Sequence, residues 1–390
     1  MKRNCESLHA HPRVLYFVVE ETDYPRNARV RQYLSSRGAD VTVVMRPRRK
    51  QKWREYAAIA RLGFHHRSGY DLVVLAEFST NSFVFSWLVA KSNGALHAVD
   101  FFVGKYETIV GDRGAYSPRH PLARLLRLLD RAALCSADVA FSDTEVRAHH
   151  FEALSASKTP VRSLPVGAPA WVAKGMEKES LPRNDRDLHV LYYGHYIDLH
   201  GADVLLEGII QAAKSIPIRA TFVGEGNIKS WMVNRVRESG LEDRIGFTGF
   251  EVPEVLMSRV SQCDVVLGIF GLSPKAESVI ANKVWQGLYA GKTVLTRRSN
   301  ALDEISSLAG DRLIQVEPGN PDAIAASLGR LYRAQTASER PSSPLLSEVL
   351  EQYVVQQFDD AFARWPLEGL LSRPEPHVAA SEHKPRTTLD

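Results

Sequence analysis

Asn282-Lys-Val-Trp-Gln286 opens a helix just after a Gly/Ser/Pro loop, and that loop follows an apolar run, Val265-Val-Leu-Gly-Ile-Phe270. Gly291 closes the helix ahead of a second apolar run, so the stretch reads as β-loop-α-β with polar groups gathered at the helix entrance. Such an entrance carries unpaired N–H groups and positive dipole character, which suits a phosphate or carboxylate. Lys283 stands at it, with Lys275 and Glu277 in the preceding loop. A second candidate is Tyr193-Gly-His-Tyr-Ile-Asp-Leu-His-Gly201, where Gly194 and Gly201 let backbone approach a ligand and His195 or His200 can donate to an anion. An ordinary Gly-bounded turn fits the same residues. Gly224-Glu-Gly226 ends another strand but lacks the third glycine of a dinucleotide fingerprint. Asp100 ends a strand in the first half, where open α/β sheets meet ligands, and a capping role fits it equally.

Several chemistries are disfavoured. Asp185-Arg-Asp187 matches a DxD metal signature in form, but it falls in a polar linker and not at a strand end, so no metal site is expected. HExxH, GxSxG and P-loop patterns do not occur, and the 13 histidines form no ligand-spaced cluster. Neither half opens with GxGxxG, which argues against a nicotinamide dehydrogenase.

The elements that position these residues alternate regularly. Val14–Val19, Val41–Val44, Asp71–Leu75, Ala95–Val99 and Asp138–Phe141 read as strands, with helices over Tyr24–Arg37, Phe83–Ala90 and Leu122–Leu134. The pattern breaks at Leu164-Pro-Val-Gly-Ala-Pro169 and restarts at Val190–Tyr193. Strands then follow at Arg219–Val223, Ile245–Phe247, Asp264–Ile269 and Leu313–Val316, with helices near 202–215, 228–239, 253–262 and 321–332. This alternation predicts an α/β chain with two Rossmann-like doubly wound parallel-sheet domains. The expected boundaries are 1–168, a linker at 169–187, 188–344, a helix at 345–365 packing back on the first domain, and a disordered polar tail at 366–390.

With 390 residues, 44% of them hydrophobic and 24% charged, the chain suits two globular domains. Three scattered cysteines give no disulfide framework, and no apolar run reaches the roughly 18 residues of a membrane span. A cytoplasmic location is expected. Net charge is uneven: residues 1–165 hold 25 Lys+Arg against 16 Asp+Glu, and the remainder 24 against 29. Six basic residues (Arg46, Arg48, Arg49, Lys50, Lys52, Arg54) surround Trp53, a stretch that fits a solvated loop or a peripheral contact with anionic membrane. No recognition helix or aromatic-interleaved sheet accompanies it, so nucleic acid is not the expected partner.

Taken in order, the second half resembles the donor domain of retaining, metal-independent glycosyltransferases of the GT-B fold, the large family-four group. The elements that carry the resemblance are Gly194–Gly201, Phe222-Val-Gly-Glu-Gly226, Ile245-Gly-Phe-Thr-Gly249, Cys263-Asp-Val-Val-Leu267, Asn282–Val294 and Glu304. Tyr24-Pro-Arg-Asn27, Asp112-Arg113, Ala137-Asp138 and Leu164-Pro-Val-Gly167 extend it into the first half. The resemblance implies two domains facing a cleft, a nucleotide-diphosphate sugar as co-substrate, no metal cofactor, and a glycan, lipid-linked or small-molecule acceptor. It further implies that Gly194, Gly201, Gly224 and Gly226 line the diphosphate, that Phe250 flanks the base, and that Gln286 meets the ribose. Lys275, Glu277 and Asn282 join the donor side, while His195, His200 and Lys283 stabilise the departing diphosphate. Asp100 would orient the acceptor hydroxyl, with Arg26 and Tyr106 on the acceptor side. The chain departs from the family's pattern in three places. His200 replaces a usual Lys, His195 a common Arg, and Ser278 and Gln286 stand where two glutamates are usual, with Glu277 one place off. A nucleotide-sugar epimerase and a catalytically silent binding protein of this fold are the alternatives.

Overall fold

The computed structural model describes residues 11–22, 24–45, 69–112, 114–169, 171–172, 186–337 and 344–371. The basic stretch 46–54, most of the expected linker and the tail beyond 371 lie outside the described residues. The chain forms two units. One comprises the described residues up to Val166 together with those from Val354 onward, and the other those from Gly167 to Tyr353.

The first unit runs β1 (Arg13–Val19), α1 (Pro25–Ser36), β2 (Asp40–Met45), β3 (Leu72–Leu75), α2 (Phe83–Asn93), β4 (Leu96–Asp100), α3 (Pro121–Ser136), β5 (Val139–Ser142), α4 (Glu145–Leu154) and β6 (Val161–Ser163). Its sheet has the order β2-β1-β3-β4-β5-β6, with every pairing parallel. Strands β3 and β5 are buried along their whole length, as a sheet covered on both faces requires. That is why they read as continuous apolar runs and not as alternating ones.

The second unit runs β7 (Leu188–Tyr193), α5 (Ala202–Ala212), β8 (Ile218–Val223), α6 (Lys229–Glu238), β9 (Ile245–Thr248), α7 (Pro253–Gln262), β10 (Val265–Leu267), α8 (Pro274–Ser278) and α9 (Asn282–Tyr289). It continues with β11 (Thr293–Arg297), α10 (Asp303–Ala309), β12 (Leu313–Val316) and α11 (Pro321–Ala337). The sheet order is β12-β11-β10-β7-β8-β9, again all parallel. Leu205, Leu206 and Ile209 of α5 pack with Ile324 and Leu328 of α11 in one buried cluster. Each such side chain contributes about 1.5–3 kcal/mol on burial. The last helix, α12 (Pro344–Phe362), supplies residues to both units. In the first, Phe358 and Phe362 lie 4.8 and 5.3 Å from the Tyr33 ring, and the Tyr33 hydroxyl donates to Asp359.

Strand order reverses once in each sheet, between β1 and β3 and between β7 and β10. At such a reversal the flanking connections leave toward opposite faces and open a crevice beyond the carboxyl ends of the strands.

Four local features differ from the sequence reading. Strand β6 is an addition, three residues after Pro160, too short to register as an apolar run. Strand β10 ends at Leu267, two residues earlier than expected; beyond it the Thr296 hydroxyl bonds both the N–H and the C=O of Ile269, and that carbonyl also accepts from Arg297 N at 2.9 Å. Helix α8 was not expected. Ser273 caps it by accepting from Ala276 N at 3.2 Å, and Pro274 occupies its first turn. The expected disordered tail begins too early, since Leu367 and Leu370 are buried.

Candidate functional site

The crevice between β7 and β10 is built from three interlocked loops. Gly194 N donates to Val223 O at 2.9 Å, Tyr196 N to Glu225 O at 2.9 Å, and Phe270 N to His200 O at 2.8 Å. A Cβ on Gly224, whose φ is +142°, would stand 2.0 Å from Gly194 O. On Gly226 it would meet Tyr196 O at 2.5 Å, and on Gly201 the Phe270 carbonyl carbon at 2.5 Å. Gly201, Gly224 and Gly226 are therefore needed for backbone to lie on backbone. This packing role is one that the sequence reading does not include. Gly194 differs, because the space where its Cβ would stand is bordered by His200 Cε1 and Lys283 Nζ, each at 3.4 Å.

Helix α9 carries Lys283 to that spot. Gly287 lets the helix lie close on the sheet, since a Cβ there would fall 2.8 Å from Val294 and 3.0 Å from Val266. On its far side Trp285 stacks on Tyr353 at 6.5 Å, and the Tyr289 hydroxyl bonds Glu351 at 2.9 Å. So fixed, Lys283 is only 4% exposed, and its Nζ has no hydrogen-bond partner. The amine sits 3.9 Å from the centre of the Tyr192 ring, whose π face is its one favourable contact among those described. Burial pushes the Lys283 pKa well below the ordinary lysine range. A buried amine without a partner is costly, and an anion placed against it would both restore its charge and satisfy its protons.

His200 is held in one tautomer. Its Nδ1 lies 2.5 Å from His195 O and 2.9 Å from the Tyr192 hydroxyl, and that hydroxyl donates to His195 O at 2.8 Å. A carbonyl only accepts, so Nδ1 carries the proton and Nε2 is left with a lone pair. Burial, and then the charge of Lys283, push the His200 pKa well below its usual value. The imidazole is neutral at pH 7 and presents an acceptor. The sequence reading has His200 able to donate to an anion; here the donor is already engaged and the free nitrogen accepts. The exposed His195 ring instead meets Phe250 edge to face at 4.8 Å, and Phe250 is itself 58% exposed.

The remaining donor-side candidates separate. Lys275, in the first turn of α8, is partly exposed, and its charge also reaches His200. Asn282 begins α9 and is partly exposed, while Gln286, one turn on, is buried with no hydrogen bond to its amide among the described residues. Glu277 faces elsewhere: its carboxylate accepts from the Arg297 guanidinium and from Asn300 N at 3.2 Å. That engagement counts against a donor role for Glu277.

In the first unit, Asp100 and Arg26 are both fully buried and paired, Nε to Oδ2 and Nη2 to Oδ1 each at 3.0 Å. Arg26 also donates to Ser142 O at 3.0 Å and to Leu164 O, tying three strand ends together. Burial raises the Asp100 pKa, and Arg26 opposes it. With no exposed surface, this pair is placed to brace the sheet, which corrects the expectation that Asp100 and Arg26 meet an acceptor. Tyr106 is partly exposed, and its backbone N–H donates to Asp130 at 2.8 Å. Sequence reasoning passed over Tyr192, Glu77 and Phe78. Only position signalled them, Tyr192 as the next-to-last residue of its strand and Glu77 two residues past the end of β3.

Among the described residues no group of three or more His, Cys, Asp or Glu is placed to hold a metal ion. Of the DxD-like stretch, Asp187 pairs with Arg219 at 2.8 Å.

Residues 187–334 match the family model described as Glycosyl transferases group 1. No curated protein sequence matches the chain. Among solved structures, Anabaena Alr3699/HepE in complex with UDP and glucose is similar at TM-score 0.61 and 12% identity, covering 90% of this chain and 100% of that one. Sucrose-phosphate synthase (tll1590) from Thermosynechococcus elongatus is similar at TM-score 0.60 and 15% identity, over 90% and 95% of the two chains. The lipopolysaccharide outer core galactosyltransferase WaaB gives TM-score 0.57 and 12% identity, over 90% and 99%. These likenesses give the fold of the chain: the two-unit α/β architecture of GT-B glycosyltransferases.

Proposed function

We propose that this chain, a glycosyltransferase whose second unit is a glycosyl transferases group 1 domain, moves a sugar from a nucleoside diphosphate to an acceptor hydroxyl with retention of configuration. The observation that carries the reading is Lys283. It is an unpartnered buried amine at the strand-order reversal of that domain, where an anionic ligand would satisfy it. Complexes of Alr3699/HepE with UDP, UDP and glucose, and UDP-glucose favour UDP as the nucleotide.

In this reading the diphosphate lies against Lys283, Gly194 and the entrance of α9, and the base packs near Phe250. The bond from the anomeric carbon to the diphosphate oxygen breaks, and the acceptor oxygen bonds the same carbon on the same face. The acceptor proton passes to the departing diphosphate. No protein nucleophile takes part, and positive charge from Lys283, Lys275 and the helix entrance stabilises the leaving group without a metal ion. Neutral His200 offers Nε2 to a donor-sugar hydroxyl or to the restored Lys283 ammonium. The Gln286 amide is free to bond a ribose diol, which a neutral amide does less strongly than a carboxylate. A thermal-shift series with UDP, GDP, ADP and TDP in chelator tests the reading. UDP is expected to raise Tm most, and absence of any shift across the series would overturn it.

The acceptor side includes a peripheral membrane contact. Within the described residues, Leu122, Leu125, Leu128 and Leu129 of α3 are 42–61% exposed, and α2 adds Val84, Trp87 and Leu88 at 37–46%. Exposed Arg124, Arg127 and Arg131 run beside the leucines. A basic apolar helix face of this kind suits an anionic lipid surface. The protein is expected to float with phosphatidylglycerol vesicles and not with phosphatidylcholine ones. Retained flotation in Leu125→Asp/Leu128→Asp would refute this surface.

A further inference from the structure

The crevice at the other strand-order reversal, between β1 and β3, has an unused group of opposite sign. A pocket there is lined by Glu20, Glu21, Tyr24, Glu77 and Phe78, all from the segments that follow those two strands. Glu77 is 1% exposed. Its Oε1 accepts from Asn27 Nδ2 at 2.6 Å, and its Oε2 has no partner. Phe78 holds a φ of +61°, a conformation that a bulky residue rarely adopts. Its ring is fixed there edge to face with Tyr24 at 5.2 Å and with Phe102 at 6.0 Å. Backbone strain of this kind collects where a side chain has to be aimed. It turns one aromatic ring toward the pocket wall beside a carboxyl oxygen that lacks a donor.

The chemistry of the lining selects a ligand class. Three of the five residues are carboxylic acids, two are aromatic, and none is a base. A protonated primary amine answers all of them at once: it donates to Glu77 Oε2, is attracted by Glu20 and Glu21, and meets the ring faces of Tyr24 and Phe78. Resting on the glycosyltransferase reading above, we infer that this pocket holds the ammonium group of an amine-bearing acceptor.

The groups facing Glu77 set its response to pH. Burial, then the negative charge of Asp100, raise its pKa to about 7, while the Asn27 amide and the Arg26 charge lower it. Arg31 contributes through Asn27, to whose Oδ1 it donates at 2.8 Å, and the buried Tyr16 hydroxyl lies near Asp100. A cation bound at Oε2 pulls Glu77 back toward the carboxylate, so binding strengthens as pH rises from about 6 to about 8 for an amine that stays protonated throughout.

The test uses methyl 6-amino-6-deoxy-α-D-glucopyranoside and its neutral parent, methyl α-D-glucopyranoside, titrated into the full chain and followed by saturation-transfer NMR. The amine is expected to bind at least about tenfold more tightly than the parent, with the stated pH dependence. Glu77→Gln is expected to abolish both the preference and the pH dependence, and Glu21→Gln, a change on the exposed rim that leaves the buried pair alone, to weaken amine binding severalfold. Equal binding of the two probes, binding of neither, or an unaltered preference in Glu77→Gln would overturn the inference. A UDP thermal shift measured on the same wild-type sample reports on the donor reading separately.

Discussion

The two sheets reverse strand order in the same way, yet the crevices at their reversals carry opposite unpaired groups. At β7/β10 it is the Lys283 amine, and at β1/β3 the Glu77 carboxyl oxygen. Both are buried and both have pKa values displaced by that burial, Lys283 in the first turn of a helix and Glu77 two residues past a strand end. On the proposed reading, topology sets where each unit meets a ligand, and an uncompensated side chain sets the sign of what it meets. By their chemistry, an anion suits one crevice and a cation the other.

The comparison breaks most visibly if Lys283 is removed. Lys283→Met keeps the packing and deletes the charge. UDP affinity is expected to fall about 10- to 100-fold, since hydrogen bonds to charged groups are worth about 1.5–3 kcal/mol. Melting temperature without ligand is expected to rise, because a buried group with no partner is gone. Isothermal titration and a melting curve on one preparation check both; unchanged UDP affinity would end the parallel between the crevices.

A smaller effect sharpens it. Glu77 binds its proton more tightly folded than unfolded, so between about pH 4.5 and about 7 the native state holds more protons and stability falls as pH rises. Lys283 holds its proton less tightly folded, so on the approach to its ordinary value of 10.5 the unfolded state holds more and stability rises with pH. Urea midpoints across the pH range are expected to show the first slope flattened in Glu77→Gln and the second in Lys283→Met. Identical slopes in wild type and variants would show that neither group titrates with folding.

Much of this was legible in the sequence, for identifiable reasons. Strands buried on both faces leave continuous apolar runs, which is why β1 and β3 stood out, and β12 and α7 matched to the residue. The entrance of α9 was legible because Lys283 and its Gly-rich approach are contiguous. What escaped depends on contacts between distant segments. Asp100 looked available because its partner, Arg26, is 74 residues away. Glu277 looked available because Arg297 reaches it from β11. His200 looked like a donor because nothing local announces that Tyr192 and the His195 carbonyl hold its proton. The glycines stood out in the sequence, but the close packing of backbone on backbone at Gly201, Gly224 and Gly226 comes from segments far apart in the chain.

With Gly201, Gly224 and Gly226 locked against neighbouring chain, the three loops behave as one frame that tolerates little alteration of its path. The freedom left lies in side chains that leave the frame outward, Ile197 at 43% exposure, Phe250 at 58% and Leu272 at 70%. On the proposed reading, a change of donor sugar or base is then a matter of repainting that rim, with the loops beneath it kept as they are.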